Sequence, residues 1–215
     1  MTEKKTPTAA QMAEYRQWRK TAVLEADYKK ISEFDEEYDV FTQVYVEGGK
    51  KGVKDALGEV LIPALYDDVT YTFADSFRHM AVPVVRAGKL ALAASDGKGT
   101  LLTDFEYDGI RFEEGFYYLF KDKKQGLATS GGNVVIPAEM DQVYVPWNEL
   151  VVFEKDGKYG FAIIGSDFIS EAVYEECEID KDEYLQVRLE GVWGYIDENG
   201  QFTTDPDEKS LYTGV

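Results

Sequence analysis

The sequence predicts a mainly β fold: about five tandem antiparallel β-hairpin repeats of roughly 34–39 residues in an open, solenoid-like array, with one N-terminal α-helix. Three observations predict it. A marker glycine recurs, with Gly126, Gly160 and Gly194 spaced 34 residues apart and Gly52 lying 74 before Gly126, room for one more copy. A corner pair follows each marker at a near-constant distance: Tyr66-Asp67 at 14, Tyr107-Asp108 at 16, Met140-Asp141 at 14 and Tyr174-Glu175 at 14. The apolar runs between turns are four to six residues long and rich in Val, Ile, Tyr and Phe, which suits strands and not the paired helices that a 34-residue period otherwise suggests.

The N-terminal segment comes first. Pro7-Thr8-Ala9-Ala10-Gln11 has the form of a helix start, with Thr8 capping free amides and Gln11 reaching back. Met12, Tyr15, Trp18, Ala22 and Ala26 then recur at helical spacing as an apolar stripe, while Arg16, Arg19, Lys20, Lys29 and Lys30 take the other surfaces. The simplest role for this helix is to cap the open core of the first repeat; the rival is a basic amphipathic helix for a membrane or an acidic partner. The run Glu33-Phe-Asp-Glu-Glu-Tyr-Asp39, five acids in seven residues, reads as a solvated linker. Residues 1–40 are thus expected to be helix and acidic linker, and 41–215 the repeat domain.

The copies follow in order: EGGKKGVKDALGEVLIPALYDDV from Glu47, RAGKLALAASDGKGTLLTDFEYDGI from Arg86, KDKKQGLATSGGNVVIPAEMDQV from Lys121, EKDGKYGFAIIGSDFISEAVYEEC from Glu154 and LEGVWGYIDENGQFTTD from Leu189. In the second, Ala91 stands in place of the marker, 39 and 35 residues from its neighbours. Leu150 to Glu154 followed by Tyr159 to Ile164 predicts a hairpin around Asp156-Gly157, and Asn199-Gly200 and Asp96-Gly97 carry the same turn signature. Pro63 and Pro137, each after Ile, are expected to end the third strand of their copies.

Val192-Trp193-Gly194-Tyr195-Ile196-Asp197 with Asn199-Gly200, and Lys158-Tyr159-Gly160-Phe161, resemble the WG-repeat family of bacterial proteins, whose repeat centres on Trp-Gly-Tyr-Ile-Asp, a Gly turn, Ile-Pro and Tyr-Asp. The resemblance covers about residues 41 to 205 and is degenerate in the second copy, where Leu90-Ala91 replaces Trp-Gly. It implies a β-rich binding scaffold and supplies no catalytic residues. Stacking of neighbouring units accounts for the repeated aromatics, so Trp193, Tyr159, Tyr66 and Tyr174 are core candidates.

Composition narrows the partners. Against 23 Lys and Arg stand 41 Asp and Glu, a net charge of −18, which disfavours nucleic acid and anionic membranes and suits a basic protein, although acidity also simply maintains solubility. No apolar core follows Met1-Thr-Glu-Lys-Lys-Thr-Pro and nowhere do about 18 apolar residues run together, so a cytoplasmic protein, monomeric on its own, is expected. Chemistry is scarce. His79 is the one imidazole that could serve Ser76 or Cys177, and Cys177 sits among acids that blunt a thiol. Asp96-Gly97-Lys98-Gly99-Thr100 lacks the order of a phosphate loop, and Asp180-Lys-Asp182 has Leu185 and Gly191 where a calcium loop needs its Gly and Glu. No catalytic residue, cofactor or metal is therefore expected; the 41 acids leave open a hydrolase with an unrecognised carboxylate pair.

Partner binding is expected on the loops between copies, 70–78, 111–115, 144–149 and 178–183. Their candidate residues are Tyr71, Phe73, Asp75, Glu113, Glu114, Tyr144, Trp147, Glu149, Asp180 and Asp182, aromatics with an acidic rim. The expected function is non-enzymatic binding of a basic protein, in its most concrete form an acidic inhibitor or immunity-type protein that neutralises a basic toxin or enzyme. The resemblance to the WG-repeat family implies the immunity form. A carbohydrate or cell-surface ligand module, stacking sugars on the same aromatics, is the alternative.

Overall fold

A computed structural model describes residues 4–21, 25–38, 42–70, 81–144, 150–166, 168–197 and 199–209, apart from the side chains of 19–21, 25–28 and 32. It is mainly β and antiparallel, as the sequence predicts. The chain divides into two units, residues 1–110 with 130–133 and residues 111–129 with 134–215.

In the first unit α1 (Ala9–Thr21) and α2 (Glu25–Glu37) precede a sheet of β1 (Gln43–Glu47), β2 (Lys50–Lys54) and β3 (Val60–Tyr66), then a sheet of β4 (Asp68–Val69), β5 (Ala81–Arg86) and β6 (Lys89–Ala94). The chain passes from one unit to the other within β7 (Gly109–Glu113), which is ordered in its sheet with β8 (Phe116–Lys121), β9 (Lys124–Thr129) and β10 (Val134–Met140). The second unit continues with a sheet of β11 (Gln142–Val143), β12 (Leu150–Lys155) and β13 (Lys158–Ile163). Its last sheet is β14 (Glu176–Ile179), β15 (Leu185–Leu189), β16 (Val192–Ile196) and β17 (Phe202–Thr203). These are five open-edged sheets among the described residues, one per predicted copy. The first and third sheets end at the corner residues Tyr66 and Met140, however, and the next sheets begin two residues later at Asp68 and Gln142, so the structural repeat is phased on the corner and not on the Gly-Lys turn.

Within each unit, consecutive sheets share a core. Val53, Ile62 and Tyr66 of the first pack with Val82, Val84 and Ala91 of the second. In the second unit Tyr118, Leu127 and Ile136 pack with Val151 and Phe153, and Leu150, Phe161 and Tyr174 with Leu185, Val187 and Ile196. The corner aromatics Tyr66 and Tyr174 are buried as expected, whereas Tyr159 and Trp193 are half-buried, so the residue before the marker glycine lies at the margin of the core.

The marker glycine has a steric cause. At the first marker Lys51 pairs with Tyr66 and Val53 with Ile62, so Pro63, Ala64 and Leu65 bulge over the single residue Gly52. A Cβ on Gly52 would lie 2.5 Å from the Ile62 carbonyl oxygen, and one on Gly126 2.6 Å from both the Ile136 carbonyl oxygen and the Ala138 nitrogen. The expected strand ends at Pro63 and Pro137 are therefore corrected. Both strands run on, because the prolines sit in bulges where the ladder asks nothing of their nitrogen. Ala91 is accommodated in a copy with two more residues before its corner, where the facing segment pairs through isolated bridges from Leu90 to Tyr107 and from Ala93 to Leu101.

Within each unit the corner acid joins one sheet to the next. Asp67 accepts from Lys50 Nζ at 2.5 Å and from the Ala87 amide at 2.7 Å; Asp141 accepts from Lys124 Nζ at 2.5 Å and from the Asp156 amide at 2.7 Å. Asp108 accepts from Lys89 Nζ at 2.6 Å, and Glu175 from the Gly191 amide at 3.0 Å, with Lys158 at 3.8 Å. Each lysine stands two residues before its marker, and Ala87, Asp156 and Gly191 belong to the tight hairpin turn of the following sheet. Asp156 at φ 53° and Gly157 at φ 74° form the hairpin the sequence predicts. Asp96-Gly97 and Asn199-Gly200 instead lie in wider turns closed by the carboxylates of Asp96 and Asp197.

The N-terminal segment departs from expectation twice. The reciprocal cap forms, with the Thr8 amide donating to Gln11 Oε1 at 2.9 Å and the Gln11 amide to Thr8 Oγ1 at 3.3 Å. The run from Glu33 is helix through Glu37 and not linker, because Ile31, Phe34 and Tyr38 at helical spacing give it an apolar face. That face takes up Met12, Tyr15 and Trp18, so α1 packs on α2 and not on the core of the first repeat. The link to the first repeat is polar: Arg16 forks to the fully buried Asp55 and, at 2.5 Å, to Glu59. Asp55 also accepts from the Leu57 and Glu59 amides, both at 2.9 Å, which closes the turn between β2 and β3.

Candidate functional site

The four loops marked by the sequence occupy one position in the repeat, the connections β4–β5, β7–β8, β11–β12 and β14–β15, which precede the strand leading to each marker. Tyr71, Phe73 and Asp75 on the first, and Trp147 and Glu149 on the third, lie outside the described residues. The other three loops belong to the second unit.

Residues 111–115 are not a loop but the end of β7 and a two-residue turn. Glu113 closes the strand, ion-paired with Arg111 at 3.0 Å, and Glu114 takes a left-handed φ of 50° beside Gly115. Tyr144 is 39% exposed. Its hydroxyl donates to Glu154 at 3.3 Å and its ring lies 6.2 Å from that of Tyr159. Burial, then Tyr159 and Glu154, pushes this phenol up to about 12, so Tyr144 remains a neutral donor.

Asp180 builds its own turn. It accepts from the amides of Asp182 at 2.8 Å and Tyr184 at 2.9 Å and from the Tyr195 hydroxyl at 3.1 Å. Burial works to raise its carboxyl, and those amides, the Tyr195 hydroxyl and Lys209 outweigh it and hold the group below its ordinary value. The rim acid at this loop is Asp182, whose side chain is exposed. Sequence reasoning missed what the turn holds: Lys209 Nζ lies 4.1 Å from the Tyr184 ring centroid and 5.3 Å from that of Tyr195, with Asp180 at 3.7 Å and Asp182 at 3.6 Å. Two tyrosine faces and two carboxylates thus surround one ammonium group, the arrangement that stabilises a lysine cation on an aromatic surface.

Residues 94–124 match the family model of the WG containing repeat. The chain carries a WG repeat. The matched stretch runs from the last residue of β6, through the Tyr107-Asp108 corner, β7 and β8, to the first residue of β9. A solved structure of PorZ, described as an essential bacterial surface component of the type-IX secretion system of Porphyromonas gingivalis, is similar over 75% of this chain at 11% identity and a TM-score of 0.25. The WG-repeat chain spans about a quarter of that protein, 25% of its length. No curated protein matches the chain.

Groups with possible chemistry sit as follows. The Cys177 thiol is pushed up to about 11, by burial first and by Glu178 second, which suppresses the nucleophilic thiolate. Ser76 and His79 lie outside the described residues. Among the described residues no three His, Cys, Asp or Glu side chains cluster to hold a metal, and no helix is long and apolar enough to cross a membrane.

Proposed function

We propose that this WG-repeat chain is a non-enzymatic protein-binding module whose partner is basic, and that it acts in the cytoplasm as an inhibitor or immunity-type protein that covers a toxin or enzyme. The observation that carries the partner's chemistry is the cage around Lys209. At a loop marked by sequence as a contact surface, Asp180, Asp182, Tyr184 and Tyr195 hold a lysine ammonium. A basic partner presenting Lys or Arg competes for the same groups, while Glu113, Glu114 and Tyr144 on the equivalent loops add acid and aromatic surface. The charge of −18 speeds encounter with such a partner and makes it salt-sensitive.

The test is capture from a native lysate on the immobilised chain at low and moderate salt, with mass spectrometry of the eluate. One stoichiometric basic protein is expected, weakened by salt, bound more tightly by Lys209→Ala and lost with Asp182→Ala and Tyr184→Ala together. Capture that is insensitive to salt and to these variants sinks the proposal.

A further inference from the structure

Among the described residues, the first repeat lacks the outer strand that every later one has. β5, β8, β12 and β15 each lie between an outer strand and the marker strand, whereas β1 is the edge of its sheet. Its pairing with β2 is regular from Gln43↔Lys54 to Glu47↔Lys50, without a bulge, and its sequence Gln-Val-Tyr-Val-Glu contains neither Lys nor Pro. Natural edges are usually protected by such devices. The strands equivalent to β1 are largely buried, yet Val46 is 66% and Val44 40% exposed.

The internal junctions state what fits there. Asp68 pairs with Val85 and Val69 with Val84; Gln142 with Glu154 and Val143 with Phe153; Glu176 with Arg188 and Cys177 with Val187. Registered on the markers, these rows correspond to Val46 and Tyr45. In each, the corner-acid amide donates to the first row's carbonyl, as Asp67 does to Val85, Asp141 to Glu154 and Glu175 to Arg188. Its carboxylate accepts from the hairpin turn beyond, at Ala87, Asp156 or Gly191. On the first repeat the equivalent carbonyl is that of Val46 and the equivalent turn is Gly48-Gly49, around which an added Cβ would meet nothing within 4 Å.

We infer that β1 is a docking edge for an extended segment of the corner type, an aromatic residue, Asp, a polar residue and Val, presented by a WG-type repeat of another polypeptide. The segment adds antiparallel to Val44 and Val46, places its Asp on the Gly48-Gly49 amides and its Val opposite Tyr45, and so continues the sheet stacking present at the internal junctions. This edge is separate from the Lys209 cage and does not depend on the proposed basic partner.

The full chain, isotopically labelled, is titrated by NMR with the synthetic heptapeptide Ala-Leu-Tyr-Asp-Asp-Val-Thr, the sequence of residues 64–70. Shifts and slowed exchange at the Val44, Val46 and Gly48 amides are expected. Replacing the first Asp by Asn should weaken binding about tenfold through loss of the charge-assisted bond. Val46→Pro, or Val46→Lys if the proline variant does not fold, should abolish it. Unchanged β1 amides at millimolar peptide overturn the inference, as do shifts confined to Glu114, Tyr144 and Asp182. Concentration-dependent self-association removed by Val46→Pro would assign the edge to a second copy of this chain and overturn the repeat in trans.

Discussion

At the scale of single residues, two positions in each repeat do most of the specification. The marker glycine is a contact requirement: the strand that bulges over Gly126 leaves no space for a Cβ, with polar backbone atoms 2.6 Å away on two sides. Gly126→Ala should destabilise by about 2–3 kcal/mol, the usual cost of forcing a packed interior apart. Ala91→Gly, where the methyl is already housed, should cost about 1 kcal/mol; urea unfolding midpoints separate the two. The corner acid is an electrostatic requirement. The Lys50 hydrogen bond, then the Ala87 amide, hold the Asp67 carboxyl below its ordinary value of 3.8, and Lys124, then the Asp156 amide, do the same for Asp141. A carboxyl that binds protons less readily when folded contributes stability above the unfolded value and loses it as pH falls through the lower folded one. The melting temperature should therefore drop as pH falls below about 4. That acid limb should be shallower when Asp67→Asn and Asp141→Asn are combined, and an unchanged limb would show that other carboxylates carry it.

At the scale of elements, legibility followed periodicity. Five sheets were readable because markers and corners repeat, and α1 because Met12 and Tyr15 share a stripe. α2 was obscured by acids that read as linker, although Ile31, Phe34 and Tyr38 keep helical spacing through them. β4 and β11, two residues each, are too short to show any period and exist because a corner delivers them to a waiting edge. Arg16 read as one more surface base, since nothing in its neighbourhood announces Asp55, 39 positions away. The pairing joins a partly exposed guanidinium to a carboxylate with no exposure, so Arg16→Met strands a buried charge. It should cost about 3 kcal/mol. Hydrogen exchange should then speed up in α1 and in the β2–β3 turn together; faster exchange in α1 alone would mean that the helices are held by other contacts.

At the scale of the whole chain, the equivalence of the four candidate loops was legible, because repeats impose it, but the contents of the described ones were not. Tyr144 and Asp182 are exposed on these loops, Asp180 is spent on its own turn, and Lys209 enters from beyond the last copy, where no local pattern signals a return. The same scale decides how salt acts. Exposed pairs such as Lys50 with Asp67 and Lys124 with Asp141 weaken as ions screen them, which lowers stability. Against this, a net charge of −18 on 215 residues repels itself in the folded chain, and ions at about 0.15 M screen charges beyond roughly 8 Å, a range that spares close pairs more than it spares the summed repulsion. The second effect should win, because each exposed pair is worth little while the repulsion sums over every unpaired acid. Raising sodium chloride from about 10 to 150 mM should shorten the screening length from about 30 to 8 Å and raise the melting temperature. A fall over that interval would mean that the corner pairs and the Arg16 fork outweigh the charge imbalance, and Arg16→Met would then reduce the fall.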